Sequence, residues 1–348
     1  MINKNYCMSH YLAFRAILDE NINFFEKLSH KLYKKHEASQ LEYVTTVNDI
    51  EEVIKKKINN FVENKKTAIF LSGGIDSAIL ASFLPEGTKA YTFNCIADNA
   101  ISEVEQAKKY CEAYSLDHEV INICWSDFVQ LTPELLKFNQ VPFHSIEVQL
   151  LKAAKHAKSQ GIKKLIIGET ADGIFGGMDK LMAKEWEFTE FIDRYIFTNP
   201  QTVLFNAVDV TTVFDKYRLP NNKIDYIRFL DDIFGVESSS SYMHALELAN
   251  IPYLDPYSYM KLTIPLDIKR IRNGEPKYLL RELFMKRYPG FDIPNKIPMP
   301  RPMGDWLRHY KTTRPEFIDN CCNNLTGDQK WQCWCLEQFL NMFDPIKK

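Results

Sequence analysis

The sequence lacks several features that would place it in a special class of protein. No apolar run approaches the roughly 20 residues that a membrane-spanning helix needs. The charged residues among positions 1–20 leave no apolar core for a signal peptide. With 13 glycines and 16 prolines in 348 residues, the chain is neither collagen-like nor of low complexity. We expect a globular, cytoplasmic protein of about two domains, without a membrane partner.

A strong charge of either sign is also missing. The chain has 43 Lys and Arg residues against 45 Asp and Glu residues, which gives a formal net charge of −2. This balance produces no overall attraction to nucleic acid, so we do not expect nucleic acid as a partner.

The eight cysteines do not form a metal-binding or disulfide pattern. None of them begins a Cys-x-x-Cys pair, and the spacing of Cys321, Cys322, Cys333 and Cys335 is not that of a zinc knuckle. Cys333 and Cys335 belong to an aromatic-rich stretch, 331–339, that favours an amphipathic helix. We prefer buried free thiols in a reducing compartment to disulfides or zinc.

From position 67 onward, short apolar runs alternate with helical patterns. This alternation predicts an α/β fold, a parallel sheet with helices on both faces. The predicted strands are 68–71, 89–93, 119–123 and 164–167.

The two ends of the chain differ from this central part. Residues 1–64 favour helices, one of them at 24–32, and form a predicted N-terminal helical extension. The second predicted domain, 65–348, consists of a nucleotide-binding core at 65–180 and a mainly helical part at 181–348.

A Gly-rich turn, 72–77, follows the first predicted strand with the sequence Ser-Gly-Gly-Ile-Asp-Ser. Gly73 and Gly74 allow backbone N–H groups to approach a ligand closely, and Ser72 and Ser77 add hydroxyls, which together favour an anionic oxygen. Asp76 would repel a bare phosphate but fits a phosphate bridged by Mg²⁺. The alternative is an ordinary capped turn between a strand and a helix.

A second Gly-rich turn, 168–177, follows the strand at 164–167 and carries Glu169 and Asp172. Ligand sites in parallel sheets lie beyond the carboxyl ends of the strands, where both turns fall. We expect Asp76 and Asp172 to hold magnesium between them, and Glu169 to contact ATP or a second substrate. The alternative, a loop without function, is less favoured because two such turns occur in one chain.

The turn 72–77 resembles the phosphate-binding loop of the ATP-pyrophosphatase (PP-loop) superfamily, and it lacks the lysine of a Walker loop. Together, the two turns resemble the synthetase domain of the asparagine synthetase B family, whose relatives include β-lactam synthetase and lasso-peptide cyclases. The resemblance covers roughly residues 40–345 and implies an adenine nucleotide alpha hydrolase-like fold. It includes the stretch 273–281, which resembles the segment that holds the family's catalytic lysine and here contains Lys277.

The resemblance implies an ATP-dependent, amide-forming ligase that adenylates a carboxylate, releases pyrophosphate and transfers the acyl group to ammonia or an amine. ATP and Mg²⁺ would be the cofactors, and Lys277 and Glu169 the catalytic residues. A solvated helix lysine is the alternative for Lys277. The residues expected to bind ATP or its metal are Ser72, Gly73, Gly74, Asp76, Ser77 and Gly168, with Asp172 as a further metal ligand.

The sequence departs from the family pattern at three places that bear on the site, the nitrogen source and the substrate. Ile2 follows Met1 where glutamine-using relatives have a nucleophilic cysteine, so we expect free ammonia, an amine, or a separate glutaminase subunit as the nitrogen source. Gly173 replaces the usual acidic residue after Asp172. The segment 247–252 lacks the family's arginine, which argues against aspartate as the substrate.

Two other functions fit parts of the pattern. A tRNA-modifying PP-loop enzyme would share the turn 72–77, but it typically needs a basic RNA surface. A degenerate ATP-binding scaffold or regulatory subunit fits Gly173 and the altered segment 247–252, but the retained residues argue against it. These are Asp76, Glu169, Asp172 and Lys277.

Overall fold

The computed structural model describes residues 1–346, so the last two residues of the predicted second domain lie outside the described residues. Strands and helices alternate through the middle of the chain. The strands are β1 (Glu42–Val44), β2 (Thr67–Phe70), β3 (Lys89–Cys95), β4 (Asp117–Ile123), β5 (Lys164–Ile166), β6 (Tyr253–Leu254) and β7 (Met260–Leu262). The helices are α1 (Lys4–Phe14), α2 (Val47–Phe61), α3 (Ile75–Ala81), α4 (Val104–Ala113), α5 (Trp125–Asn139), α6 (Ile146–Ser159), α7 (Ala171–Phe175), α8 (Asp179–Met182), α9 (Phe188–Tyr195), α10 (Tyr226–Phe229), α11 (Gly235–Leu248), α12 (Ile268–Arg272), α13 (Tyr278–Arg287), α14 (Met303–Trp306) and α15 (Gly327–Phe343).

The main sheet is parallel, with the strand order β4-β3-β2-β5-β6. Alternate residues of the central strand bury opposite faces: Ala68 packs into one hydrophobic cluster and Ile69 into another. A strand that is buried on both faces typically has a continuous apolar sequence, as residues 68–71 have. The predicted α/β class, with helices on both faces of a parallel sheet, is confirmed.

The two helical layers differ in where they come from in the chain. One cluster gathers residues of α1, α5, α6, α11 and α15, such as Leu12, Phe128 and Leu336. The other gathers residues of α2, α3, α4 and α13, such as Ile54 and Phe284. α13, which follows Lys277, therefore packs on the same face of the sheet as α3, which follows the turn 72–77.

The N-terminal segment departs from the predicted run of helices. Residues 24–32 form turns and irregular structure, so the helix predicted there is wrong. Residues 42–44 form β1, which pairs in parallel with β7. The predicted domain division at residue 65 stays a prediction, although Ile54 and Leu12 both belong to clusters that include residues of the main sheet.

All eight cysteines are free thiols, and six of them are buried, which confirms the preference for free cysteines. Cys333 and Cys335 lie inside α15, as expected. In residues 1–346, no helix combines the length and the apolar character needed to cross a membrane.

Candidate ATP and carboxylate site

The turn after β2 is held in shape by its own two serines. The hydroxyls of Ser72 and Ser77 lie 2.9 Å apart, the Ser72 amide donates to the Ser77 hydroxyl at 3.0 Å, and the Gly74 amide donates to the Ser72 hydroxyl at 3.2 Å. A Cβ added to Gly73 would come within 3.2 Å of Glu103, so glycine lets the turn pack closely against that residue. These contacts fix the turn at the carboxyl end of β2.

An ammonium group joins the two predicted metal ligands. Lys277 Nζ lies 2.5 Å from Asp76 Oδ2 and also forms an ion pair with Asp172. Only 8% of the Lys277 side chain is exposed, so the alternative of a solvated helix lysine is wrong. Lys277 caps the start of α13 in the left-handed backbone region (φ +55°), which costs energy for a non-glycine residue. A second ammonium, that of Lys296, lies 2.7 Å from Asp172 Oδ2.

The charges of this cluster balance, since two carboxylates face two ammonium groups. Burial raises the pKa of Asp76 above its usual value, although Lys277 opposes the shift. Burial acts in the same direction on Asp172, but Lys277 and Lys296 outweigh it, so the pKa of Asp172 is lowered. The pKa of Lys277 lies well above its usual value because attraction to Asp76 and Asp172 exceeds the cost of burial.

The two carboxylates fit Mg²⁺ if a ligand supplies further oxygens. Asp76 Oδ1 is buried and accepts no hydrogen bond from the rest of residues 1–346. Over the same residues, no group of three or more His, Cys, Asp or Glu side chains could form a complete metal site. Mg²⁺ is commonly held by one or two carboxylates together with substrate phosphates, which is the donor set that Asp76, Asp172 and a nucleotide would provide.

Glu169 lies on the second turn, which Asp255 anchors from the end of β6. Asp255 Oδ2 accepts hydrogen bonds from the amides of Glu169 at 3.1 Å and Thr170 at 2.8 Å. The Glu169 side chain is half-buried, and burial is the main reason that its pKa rises to about 8. Tyr242 adjoins it: burial first and the Glu169 carboxyl second raise the pKa of the Tyr242 hydroxyl well above its usual value. The Glu169 carboxyl therefore keeps its proton to a higher pH than an exposed glutamate does.

A cavity of about 640 Å³ joins the two turns. Most of the predicted site residues line it, namely Ser72, Gly74, Asp76, Ser77, Gly168, Glu169, Asp172 and Lys277. Gly73 does not; it lies buried behind the wall, where its carbonyl accepts a hydrogen bond from Tyr110. The segment 293–300 also lines the cavity.

Some residues of the wall were not predicted. Glu103 lies against the turn 72–77, and its pKa rises to about 7, mainly through burial. Arg281 and Tyr242 also line the cavity. No local motif marks any of them, because each reaches the cavity from a helix or loop remote in sequence.

A second cavity, of about 240 Å³, adjoins the first. The two cavities share Ile167, Glu169 and Tyr242 as a common wall.

Residues 49–206 match the asparagine synthase family. The matched range holds both Gly-rich turns and ends before Lys277. The predicted resemblance is confirmed for this range, and the match supports an ATP-using synthetase of the ligase type.

A curated relative, the amidase chry2 of Gibberella zeae, is 27% identical over a 134-residue alignment that covers 33% of this chain and 20% of that protein. The chain thus matches about a fifth of the length of that relative.

Three solved structures match parts of the chain with low sequence identity and low TM-scores. The NH3-dependent NAD synthetase of Campylobacter jejuni is 19% identical, with a TM-score of 0.24 over 37% of this chain and 58% of that one. NMN synthetase from Francisella tularensis is 15% identical, with a TM-score of 0.29 over 60% of this chain and 94% of that one. The U34-tRNA thiolase NcsA of Methanococcus maripaludis is 15% identical, with a TM-score of 0.26 over 72% of this chain and 85% of that one.

Proposed function

We propose that this chain is an ATP-dependent ligase that adenylates a carboxylate and transfers the acyl group to an amine or ammonia. The observation that carries the proposal is the buried cluster of Asp76, Asp172 and Lys277, which unites the two Gly-rich turns on one wall of a 640 Å³ cavity. The match to asparagine synthase over residues 49–206 supports the same class of reaction.

In the first step, an oxygen of the substrate carboxylate attacks the α-phosphorus of ATP. A new O–P bond forms while the bond from the α-phosphorus to the bridging oxygen breaks, and pyrophosphate leaves. The turn 72–77 would hold the phosphates, and Lys277 and Lys296 would supply positive charge. Mg²⁺, held by Asp76 and Asp172, would neutralise charge on the phosphates.

In the second step, the nitrogen of the amine attacks the acyl carbon. A C–N bond forms, the bond from the acyl carbon to the AMP oxygen breaks, and AMP leaves. Glu169, which lines the cavity, would accept the proton that the amine loses. Most of the catalysis would come from positioning and from fixed charge in a partly buried site.

Product analysis tests the proposal. The purified chain, incubated with ATP, Mg²⁺, pools of carboxylates and ammonium or simple amines, should release AMP and pyrophosphate. Detection of ADP and orthophosphate as the nucleotide products would contradict it, because those products arise from cleavage at a different phosphate. ATP binding without turnover for any carboxylate would favour the scaffold or regulatory role instead.

A further inference from the structure

We infer that the second cavity binds an organic primary amine, which is the nucleophile of the second step. The inference rests on the proposed function and adds the class of the acyl acceptor, which would be an amine larger than ammonia. Four features of the cavity support it: its position, its size, the charge of its walls and the way in which they are built.

The position of the second cavity suits a nucleophile. Glu169 and Tyr242 line both cavities. A group bound in the second cavity would therefore lie next to Glu169, on the border with the first cavity, where ATP is proposed to bind. An amine held there would reach the acyl carbon and its proton acceptor from the same side.

The size of the second cavity exceeds what ammonia requires. A single water molecule, which is close to ammonia in size, needs a cavity volume of roughly 10–15 Å³. The cavity offers about 240 Å³, which accommodates an aliphatic or aromatic body attached to the amine.

The walls favour an amine over an anion. Within residues 1–346, the cavity is lined by two carboxyl groups, those of Glu169 and Asp255, and by no Lys or Arg side chain. Burial, followed by the nearby Lys57, lowers the pKa of His36, which leaves that imidazole neutral at pH 7. Tyr33 and Tyr253 also line the cavity and offer apolar contact.

The N-terminal segment builds part of this cavity through specific contacts. The Tyr33 amide donates to the Ser240 hydroxyl at 2.8 Å, and His36 Nε2 lies 3.0 Å from the Ser258 hydroxyl. His36 also stacks on Tyr259, with the ring centroids 3.8 Å apart. These contacts hold Tyr33 and His36 in place as walls.

The test separates the two half-reactions. Exchange of labelled pyrophosphate into ATP with a carboxylate and no amine measures adenylation alone. Amide formation is then compared for ammonium chloride, n-butylamine and 2-phenylethylamine. We expect KM values for the organic amines at least tenfold below that for ammonium. Ammonium that serves at least as well as both organic amines would overturn the inference while the exchange still supports the proposed function.

Filling the cavity provides a second readout. Ser258→Leu should raise the KM for 2-phenylethylamine at least tenfold, and change the KM for ammonium and the exchange rate less than twofold. Ser258→Ala removes the same hydroxyl without filling the space and should raise that KM less than threefold. Ser159→Leu is the matched control, because Ser159 is exposed on α6 and lines neither cavity. Equal effects of Ser258→Leu on ammonium and 2-phenylethylamine would overturn the inference.

Calorimetric titration of the chain with 2-phenylethylamine tests the inference even if adenylation is not detected. If no carboxylate supports exchange, the proposed function fails, and the cavity is judged by binding alone. Binding of one molecule per chain that Ser258→Leu weakens at least tenfold supports the inference, and absence of binding overturns it. If Ser258→Leu does not fold, Tyr33→Ala replaces it, with an expected weakening of at least fivefold.

Discussion

The ammonium of Lys277 lies 2.5 Å from a carboxylate oxygen of Asp76, although 201 positions separate the two residues in the chain. Each charge is largely removed from water, so neither is stable there without the other. The contact therefore links the start of α13 to the turn after β2.

Lys277→Ala should lower turnover by about 10²–10³-fold, because it removes a fixed positive charge from the place where the phosphates would react. Lys277→Arg should not restore turnover, since a planar guanidinium cannot occupy the space between two carboxylates as a compact ammonium does. AMP release at saturating ATP measures the effect. Near-normal turnover of the alanine variant would remove Lys277 from the catalytic residues.

Lys277→Ala should also destabilise the fold, by roughly 3–5 kcal/mol, because Asp76 and Asp172 would remain buried without their shared partner. Denaturant unfolding of the variant and of the wild-type protein gives the difference. A change below about 0.5 kcal/mol, typical of an exposed surface residue, would contradict the burial of this side chain.

Asp76→Asn should block the first half-reaction and raise the Mg²⁺ concentration needed for any residual activity, because an amide is a much weaker Mg²⁺ ligand than a carboxylate. Pyrophosphate exchange over a series of Mg²⁺ concentrations measures both effects. Asp193→Asn, at an exposed position on α9, makes the same chemical change outside both cavities and should behave as wild type. Equal Mg²⁺ dependence in the two variants would exclude Asp76 as a metal ligand.

Amide formation should increase with pH up to about 8 and then level off. The pKa of Glu169 is raised to about 8, so the carboxyl is protonated below that pH and cannot accept the proton of the amine. Hydroxylamine is a suitable acceptor for this measurement because it is already uncharged at neutral pH. Glu169→Gln should lose the rise near pH 8, whereas pyrophosphate exchange in the wild type should not show it. A profile that is the same in both proteins would argue that Glu169 takes no proton.

Gly177→Ala should lower turnover at least tenfold. A Cβ at this position would overlap the Asp172 carboxyl and the end of the Lys277 side chain, so the buried cluster would have to shift. Gly173→Ala is the matched control, since a Cβ there meets no atom within 4 Å. Because Gly173 lies inside α7, the control should retain activity and gain up to about 1 kcal/mol of stability. Similar activity of both variants would show that the cluster tolerates displacement.

The main sheet could be predicted because its first four strands are apolar runs followed by turns, and such runs carry a local signal. The same signal predicted that the turns after β2 and β5 lie at the carboxyl ends of the strands. The turns lie close together because these two strands are neighbours. β1, β6 and β7 were missed, since none of these short strands stands out in the sequence as an apolar run.

The surroundings of Glu169 could not be predicted from the sequence. Tyr33 reaches the second cavity from the N-terminal segment, and Tyr242 reaches it from α11, more than 70 positions beyond Glu169. Neither residue lies in a recognisable motif. Their contribution depends on tertiary contacts, such as the bond from the Tyr33 amide to Ser240, which no local pattern encodes.

The distance along the chain between Asp76 and Lys277 also has a consequence for biosynthesis. At about 5–20 residues per second, a ribosome adds the residues that separate them in roughly 10–40 s, and during that time the Asp76 carboxylate has no ammonium partner. The interval is longer still for Lys4, whose ion-pair partners are Glu316 and Asp344. The nascent protein can assemble its first strands early, but the charged cluster can form only after Lys277 has been synthesised.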